Sequence, residues 1–139
     1  MASYVGTIDA RLRPGGRAAV QAITMPHDRM LASASTYTWV HKYIFPGGPL
    51  PSIEALREVV EQCTALDITE EFTMGRHYAR TLRLWRERFR AASPRVQQLG
   101  FDAVFARMWT FYLAYSEAGF RSGYLDVYQL RIDKSDVPG

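Results

Sequence analysis

Apolar residues recur along the chain at helical and strand spacings, and they predict that helices and strands alternate. Tyr4, Ile8 and Leu12 lie four residues apart, as on one face of a short helix. Residues 13–16 contain Pro and two Gly, which end a helix. The mostly small apolar run 18–23 is typical of a strand covered on both faces in a parallel sheet. Helix, turn and buried strand together predict one unit of a doubly wound α/β fold.

The middle of the chain predicts two further helices and a second strand. Pro26 can open a helix that runs to about Tyr43, and residues 43–52 then hold three prolines and two glycines, so their backbone cannot be regular. Ser52 is a good N-cap for a helix that ends near Cys63. The buried stripe of that helix is Ile53, Leu56, Val59 and Val60. Residues 66–72 predict the second strand.

The rest of the chain predicts two long helices and a last strand. The helix over residues 75–91 has an apolar stripe of Tyr78, Leu82, Trp85 and Phe89, opposite a basic face of Arg76, Arg80, Arg83 and Arg90. The helix over residues 101–119 is apolar nearly all round, which indicates that it is fully buried or lines an apolar cavity. Residues 124–132 predict the last strand, and the tail from Asp133 is expected to be polar and loose.

Length and composition place the chain among small globular domains. Its 139 residues suffice for one domain and leave no room for a second, and 47% hydrophobic residues exclude wholesale disorder. The single Cys63 excludes an internal disulfide, as expected in a reducing cytoplasm. Neither a leader sequence at the N-terminus nor a run of ~18 apolar residues occurs, so we expect a cytoplasmic protein that does not span a membrane.

The charge is mildly basic and does not by itself choose a partner. The 17 bases, 15 of them Arg, against 14 acids give a net charge of +3, which fits an anionic membrane surface, a nucleic acid or neither. The basic run 76–95 is either a solvated surface or a face attracted to anionic lipid.

Common catalytic and cofactor motifs do not occur. The sequence has no G-x-G-x-x-G, Walker loop, C-x-x-C or H-E-x-x-H motif. The three histidines, His27, His41 and His77, are scattered along the sequence. Cys63 is the only cysteine that could join them as a ligand, so we expect no metal site. The residue types alone leave an enzyme and a non-enzyme equally open.

Two stretches resemble signature segments of the cyclopropane-fatty-acyl-phospholipid synthases. They are YIFPGGPLPS at residues 43–52 and HYARTLRLW at residues 77–85. That family consists of S-adenosylmethionine (SAM) dependent methyltransferases and includes the mycolic acid cyclopropane synthases. The resemblance continues, in order, through residues 100–102, 107–109, 112–113, 117–121 and 124–130. It therefore covers nearly the whole chain.

The resemblance implies the C-terminal half of a doubly wound, Rossmann-like methyltransferase sheet. Strands five to seven of the family's sheet would be present, together with the helical insertions that shape its lipid pocket. The family's glycine-rich SAM loop and its Cys and Glu ligands belong upstream of Tyr4, where this sequence has no counterpart. Residues 1–139 are therefore expected to form a partial methyltransferase domain without the SAM-binding half.

The resemblance also implies a reaction and three site residues. Family members transfer the SAM methyl to a cis double bond of a phospholipid acyl chain; a bound bicarbonate then removes a proton from the carbocation and the ring closes, although some members stop at a methyl branch. Tyr78 matches the tyrosine that contacts bicarbonate, and Ile23 matches a position whose backbone does so. Gln21 stands where the best-known members have a bicarbonate-binding His, and an amide can still donate a hydrogen bond. From the residues alone, Tyr78 is better explained as a core residue of an apolar helical stripe, and Gln21 could equally be a hydrogen-bonded core amide.

The expected partner is a phospholipid acyl chain at an anionic membrane surface, and no nucleic acid is expected. The expected location is the cytoplasm, peripheral to the membrane.

Three hypotheses remain open at this point. The chain is part of such an enzyme and inactive alone, or it is half of a split enzyme completed by a separate N-terminal half. A homo-oligomer is the other protein partner considered. The third hypothesis is a non-catalytic module that binds lipid or a partner through the basic helix and the aromatic helix.

Overall fold

The computed structural model describes residues 1–33, 35–46 and 50–136. Within these residues the elements, in chain order, are α1 (Ala2–Arg11), β1 (Arg17–Thr24), α2 (His27–Ser33), α3 (Trp39–Tyr43), α4 (Ile53–Cys63), β2 (Leu66–Thr73), α5 (Gly75–Ala91), α6 (Ser93–Gln98), α7 (Ala103–Arg121) and β3 (Asp126–Lys134). They form two compact units. Unit 1 comprises Met1–Thr36, Pro49–Thr73 and Asp126–Gly139, and unit 2 comprises Tyr37–Gly48 and Met74–Leu125.

Unit 1 is built on a three-stranded sheet in the order β1-β3-β2. The central strand β3 runs antiparallel to both neighbours, so β1 and β2 point the same way. The pairing of β1 with β3 is regular from Arg17 opposite Asp133 to Thr24 opposite Asp126. The pairing of β2 with β3 contains a bulge between Ile68 and Glu70.

The core of unit 1 lies between this sheet and the helices α1 and α4. Its buried members come from both helices and from β2 and β3: Val5, Val60, Leu66, Leu130 and Ile132. The helix α4 begins where expected, because the Ser52 hydroxyl accepts a hydrogen bond from the Ala55 N–H at 3.1 Å. Its predicted stripe faces this core, with Val60 buried and the other three residues partly buried against it.

The prediction that β1 is covered on both faces is wrong. Along β1, exposed and partly buried residues alternate, and Arg17, Ala19, Gln21 and Ile23 share the exposed face. Alternation of this kind marks a strand with one solvated face, the habit of antiparallel sheets, and β1 does pair with an antiparallel strand.

The single helix predicted from Pro26 to Tyr43 is instead two helices, α2 and α3. Residues 33–38, which are mostly Ser and Thr, interrupt the apolar spacing, and a second helix begins at Trp39. Its start is fixed by His41, whose Nδ1 accepts a hydrogen bond from the Thr38 N–H at 3.2 Å. Of the irregular stretch predicted over residues 43–52, Gly47, Gly48 and Pro49 lie outside the described residues.

Unit 2 is helical, and its main contact is the packing of α5 against α7. The predicted basic face of α5 is exposed. Its apolar stripe is only partly correct, because Leu82 is buried but Trp85 is 50% exposed. Of the two alternatives predicted for α7, full burial is wrong, since Val104, Phe111 and Tyr115 are at least half exposed.

The prediction of a loose tail from Asp133 is wrong for the first residues of that segment. Asp133 and Lys134 are the last residues of β3, and Lys134 Nζ lies 2.8 Å from Asp9 Oδ1. The Ser135 carbonyl accepts a hydrogen bond from the Gly15 N–H at 3.3 Å. Gly15 has a φ of 67°, which glycine adopts without strain. Residues 137–139 lie outside the described part of the chain.

Candidate active site

Tyr78 lies in the first turn of α5, within unit 2. Its side chain is partly buried and packs on the buried Phe120 of α7, with ring centroids 5.4 Å apart and planes tilted by 37°. The first turn of α5 has no acidic residue, and Met74 at the N-cap provides no side-chain cap. The positive end of the helix dipole therefore lies near Tyr78, and it favours an anion.

Gln21 and Ile23 lie on the exposed face of β1, within unit 1. The Gln21 Oε1 atom accepts a hydrogen bond at 3.1 Å from Gln129 Nε2, the residue directly opposite on β3. Ile23 is opposite Val127, and its side chain is 39% exposed. The structure thus brings Gln21 and Ile23 together on one strand face, whereas Tyr78 belongs to the other unit.

A histidine contact that the sequence does not reveal secures the end of the 43–52 signature. Ser52 is fully buried, and its Oγ shares a hydrogen bond with His27 Nδ1 at 2.7 Å. The Ser52 N–H donates to Met30 Sδ at 3.2 Å, and the Pro51 carbonyl accepts from the Met25 N–H at 3.0 Å. The signature is therefore fastened to the segment that follows β1. The N-cap pattern identifies Ser52, but its partner is 25 residues away and has no local signal.

A row of aromatic rings follows α7 in unit 2. Consecutive ring centroids from Phe101 to Phe105, Trp109 and Tyr112 are 4.4, 6.0 and 5.3 Å apart. Phe45, from the 43–52 signature, packs edge-on against Tyr112 at 5.8 Å. Burial raises the pKa of the Tyr112 hydroxyl, and its hydrogen bond with Ser116 opposes that rise. The row gives unit 2 a long apolar surface of flat side chains.

The signature EAGFR at residues 117–121 has a structural explanation. Glu117 is buried, and its Oε2 lies 2.8 Å from Arg86 Nη2 of α5, while Arg121 pairs with its other oxygen. A Cβ placed on Gly119 would lie 2.9 Å from Leu125 Cδ1. These residues therefore secure the packing of unit 2 and need no catalytic role to account for them.

Metal ligation and membrane crossing have no support in the described part of the chain. No group of three or more His, Cys, Asp or Glu side chains there could hold a metal ion. Over the same residues, the helices are all too short or too polar to cross a bilayer.

Solved structures define the class of protein. The cyclopropane synthase MmaA2 from Mycobacterium tuberculosis superposes with a TM-score of 0.83 at 26% identity, over 96% of this chain and 49% of that chain. The mycolic acid cyclopropane synthase CmaA1, solved in complex with SAH and CTAB, gives a TM-score of 0.84 at 25% identity over the same shares. The chain thus has the α/β fold of the C-terminal half of a Rossmann-like SAM-dependent methyltransferase, as the sequence predicts.

Relatives in sequence define the family more closely. Residues 1–130 match the family model of mycolic acid cyclopropane synthetase. The tuberculostearic acid methyltransferase UfaA1 of Mycobacterium tuberculosis is 56% identical over 97% of this chain, and the cyclopropane-fatty-acyl-phospholipid synthase of Escherichia coli is 30% identical over 92%. The chain belongs to the mycolic acid cyclopropane synthetase family. It spans about a third of the length of these two relatives, 32% in each case.

Proposed function

We propose that this chain forms the C-terminal part of a SAM-dependent methyltransferase that acts on a double bond of a phospholipid acyl chain. The observation that carries the proposal is the 56% identity, over 97% of the chain, with a tuberculostearic acid methyltransferase. The cyclopropane-fatty-acyl-phospholipid synthase is only 30% identical. We therefore favour a product that keeps the added carbon as a branch over one that closes a ring.

The SAM site belongs to another part of the enzyme in this proposal. SAM supplies the methyl group when it is bound. This sequence has no glycine-rich loop of the kind that holds the cofactor, and residues 1–139 thus lack a fitting SAM cradle. The chain's own contribution is to hold the lipid and to place donors around an anion such as bicarbonate.

Tyr78 is proposed as the principal anion contact. A bicarbonate in apolar surroundings needs several donors, and a phenol hydroxyl beside a helix N-terminus supplies one of them in a favourable field. Packing on Phe120 restricts the Tyr78 ring. Within unit 1, Gln21 and the backbone at Ile23 are proposed as anion contacts on the resemblance alone.

The aromatic row of α7 is proposed as the wall along which the acyl chain lies. Rings from Phe105 to Tyr112 form a continuous apolar surface, and Phe45 extends it at one end. An acyl chain gains free energy by leaving water for such a surface, at ~0.8 kcal/mol per buried methylene.

The edge of the sheet supports a role as one part of a larger enzyme. Within the described residues, β1 pairs with β3 alone, and its eight residues contain no Pro and no bulge. The opposite edge strand, β2, carries Asp67, Glu70 and Glu71 and a bulge, which are the usual protections against a further strand. We propose that β1 accepts a strand from the SAM-binding half of the enzyme.

Mixing the two halves tests the proposal directly. The 139-residue chain is incubated with methyl-labelled SAM and vesicles containing oleoyl phospholipid, alone and with a second polypeptide that supplies the SAM-binding half of the tuberculostearic acid methyltransferase. We expect label in the lipid only from the mixture, and calorimetric SAM binding by the chain alone weaker than ~10 μM. Tight SAM binding by the chain alone, or a mixture that transfers no methyl, would contradict the proposal.

The Tyr78→Phe variant tests the anion contact in the same mixture. Loss of one positioned donor should lower the rate by about 100-fold while the fold is kept. Tyr124→Phe, a change of the same kind at an exposed position of unit 2, is the matched control and should leave the rate unchanged. Equal rates for the two variants would remove Tyr78 from the site. Nuclear magnetic resonance of the product distinguishes a branch from a ring.

A further inference from the structure

The positive charge of the chain is concentrated in unit 2. This unit contains ten bases and only three acids, a formal charge of +7. Two of these acids are already paired: Glu117 binds Arg86 and Arg121, and Glu87 lies 3.9 Å from Arg83. Most of the arginines in unit 2 are therefore available to an external anion.

An apolar tip projects from the turn between α6 and α7. Its three side chains, Leu99, Phe101 and Val104, are 60%, 46% and 60% exposed. Exposed apolar side chains that lie close together on a surface are candidates for an interaction site. We define these three residues as the apolar tip.

The backbone of the tip is a defined structure. The Gly100 N–H donates to the Gln97 carbonyl at 2.9 Å and the Phe101 N–H to the Val96 carbonyl at 3.3 Å, the two bonds of a Schellman motif. Gly100 has the φ of 89° that this motif requires. Asp102 then caps α7 by accepting from the Phe105 N–H at 2.8 Å. Two helix ends thus hold the tip in place.

Four exposed arginines lie close to the tip along the chain. Arg95 precedes Leu99 by four residues and Arg107 follows Val104 by three, so each lies beside a tip residue on its own helix. Arg88 and Arg90 occupy the last turn of α5, directly before α6. In the described part of the chain, none of these four arginines forms an ion pair, and all four are exposed.

We propose that the apolar tip and these four arginines dock unit 2 on an anionic phospholipid bilayer. The tip would enter the region between head groups and acyl chains, while the arginines bind lipid phosphates in the geometry that guanidinium groups favour. A second copy of this surface would bring two strongly positive units together, and a nucleic acid would leave the tip in water. A bilayer satisfies both the charge and the apolar side chains.

This inference deepens the proposed function, because it names how the enzyme reaches its lipid. Its test needs neither SAM nor turnover. Failure of vesicle binding would leave methyl transfer to be judged separately, and failure of methyl transfer would leave the docking result intact.

The test measures partition of the full 139-residue chain onto sedimented vesicles. We expect retention on an equal mixture of phosphatidylcholine and phosphatidylglycerol, much weaker retention on phosphatidylcholine alone, and a loss of retention as salt is raised. Equal retention on the two lipids, or none on either, would overturn the proposal.

Paired variants separate charge from apolar insertion. Arg95→Gln with Arg107→Gln should lower the partition coefficient about 25-fold, about fivefold for each arginine. The control is Arg11→Gln with Arg13→Gln, which makes the same change in net charge in unit 1 and should lower the coefficient far less. If both pairs have equal effects, general attraction explains the binding and the proposed surface is wrong.

Leu99→Ser with Phe101→Ser should lower partition by about 100-fold, roughly tenfold for each side chain, while circular dichroism stays unchanged. Leu31→Ser, an exposed leucine in unit 1, is the control and should bind as the unmodified chain does. If the double variant abolishes self-association and vesicle binding does not change, the tip is an interface between copies and the proposal is overturned.

Discussion

The two units of this chain differ in charge and in what holds them together. Unit 1 has seven bases and eleven acids, a formal charge of −4, whereas unit 2 carries +7. The net charge of +3 conceals this separation. In unit 1 the bases are largely neutralised: Arg57 pairs with Glu71 at 2.7 Å, Lys134 with Asp9, and Arg131 with Asp133 and Glu70. The excess of positive charge is therefore a property of unit 2 and not of the whole chain.

The units also differ in their interiors. The interior of unit 1 is an aliphatic core under a sheet, while the interior of unit 2 holds a buried carboxylate clamped by two arginines beside a row of rings. Substitutions that act on only one kind of interior test this difference between the units.

The largest effect is expected from Leu130→Ala in the core of unit 1. Leu130 is 2% exposed, and a cavity at such a site lowers the free energy of unfolding by about 3–4 kcal/mol. The exposed Leu31 serves as the control, with an expected loss of about 0.5 kcal/mol for Leu31→Ala. Urea unfolding measures both, and similar losses would mean that the aliphatic core is not what stabilises unit 1.

A somewhat smaller effect is expected from Glu117→Ala in unit 2. The change leaves Arg86 partly buried without its carboxylate, at a cost of about 2–3 kcal/mol, since Arg121 is largely solvated already. Glu87→Ala breaks an exposed pair on the same helix pair and should cost about 0.5 kcal/mol or less. Hydrogen exchange should report the Glu117→Ala loss in α5 and α7. An equal loss of protection in the sheet would contradict the claim that Glu117 stabilises unit 2 specifically.

Removing a helix cap should lower the free energy of unfolding more in unit 1 than in unit 2. Ser52→Ala removes both the cap of α4 and the bond to His27 in a buried site, and we expect a loss of about 1–2 kcal/mol. Asp102→Ala removes an exposed cap from α7 and should cost about 0.5–1 kcal/mol. Thermal or urea unfolding ranks the two, and the reverse order would show that the His27 contact adds nothing.

Lowering the pH is expected to have the smallest effect on stability, and it should destabilise unit 1 before unit 2. The hydrogen bond from Lys134 holds the pKa of Asp9 below its ordinary value, and Arg131 does the same for the pKa of Asp133. A carboxyl whose folded pKa is depressed contributes stability above its unfolded pKa, and that stability is lost as the pH falls through the folded pKa. Between about pH 5 and pH 2, hydrogen exchange should therefore accelerate in β3 and α1 before it does in α5 and α7. Earlier acceleration in α5 and α7 would contradict the prediction that acid destabilises unit 1 first.

Local patterns in the sequence predicted a large part of the fold. The spacing of apolar residues predicted α1, α4, α5 and the three strands. Each of these elements has a local pattern of apolar residues that is visible within a few residues of sequence. The same spacing wrongly predicted one helix in place of α2 and α3, because the short, mostly polar segment between them does not by itself indicate that a helix ends. The signature segments predicted the family, which the comparisons confirm.

For the candidate site, the sequence provided Tyr78, Gln21 and Ile23 through resemblance, and their roles stay predictions. It missed His27, because a hydrogen bond between residues 25 positions apart has no local periodicity. It also missed the exposed face of β1, since small apolar residues fit an open face and a covered one equally well.

The sequence by itself thus determined the periodic elements, the family and the number of charges. Only the tertiary structure decided how those charges are shared, because pairing depends on which side chains meet across elements far apart in the chain. It also decided that Glu117 is a buried anchor while Leu99, Phe101 and Val104 face solvent. Burial depends on what packs against a residue, and the order of residues along a chain does not contain that information locally.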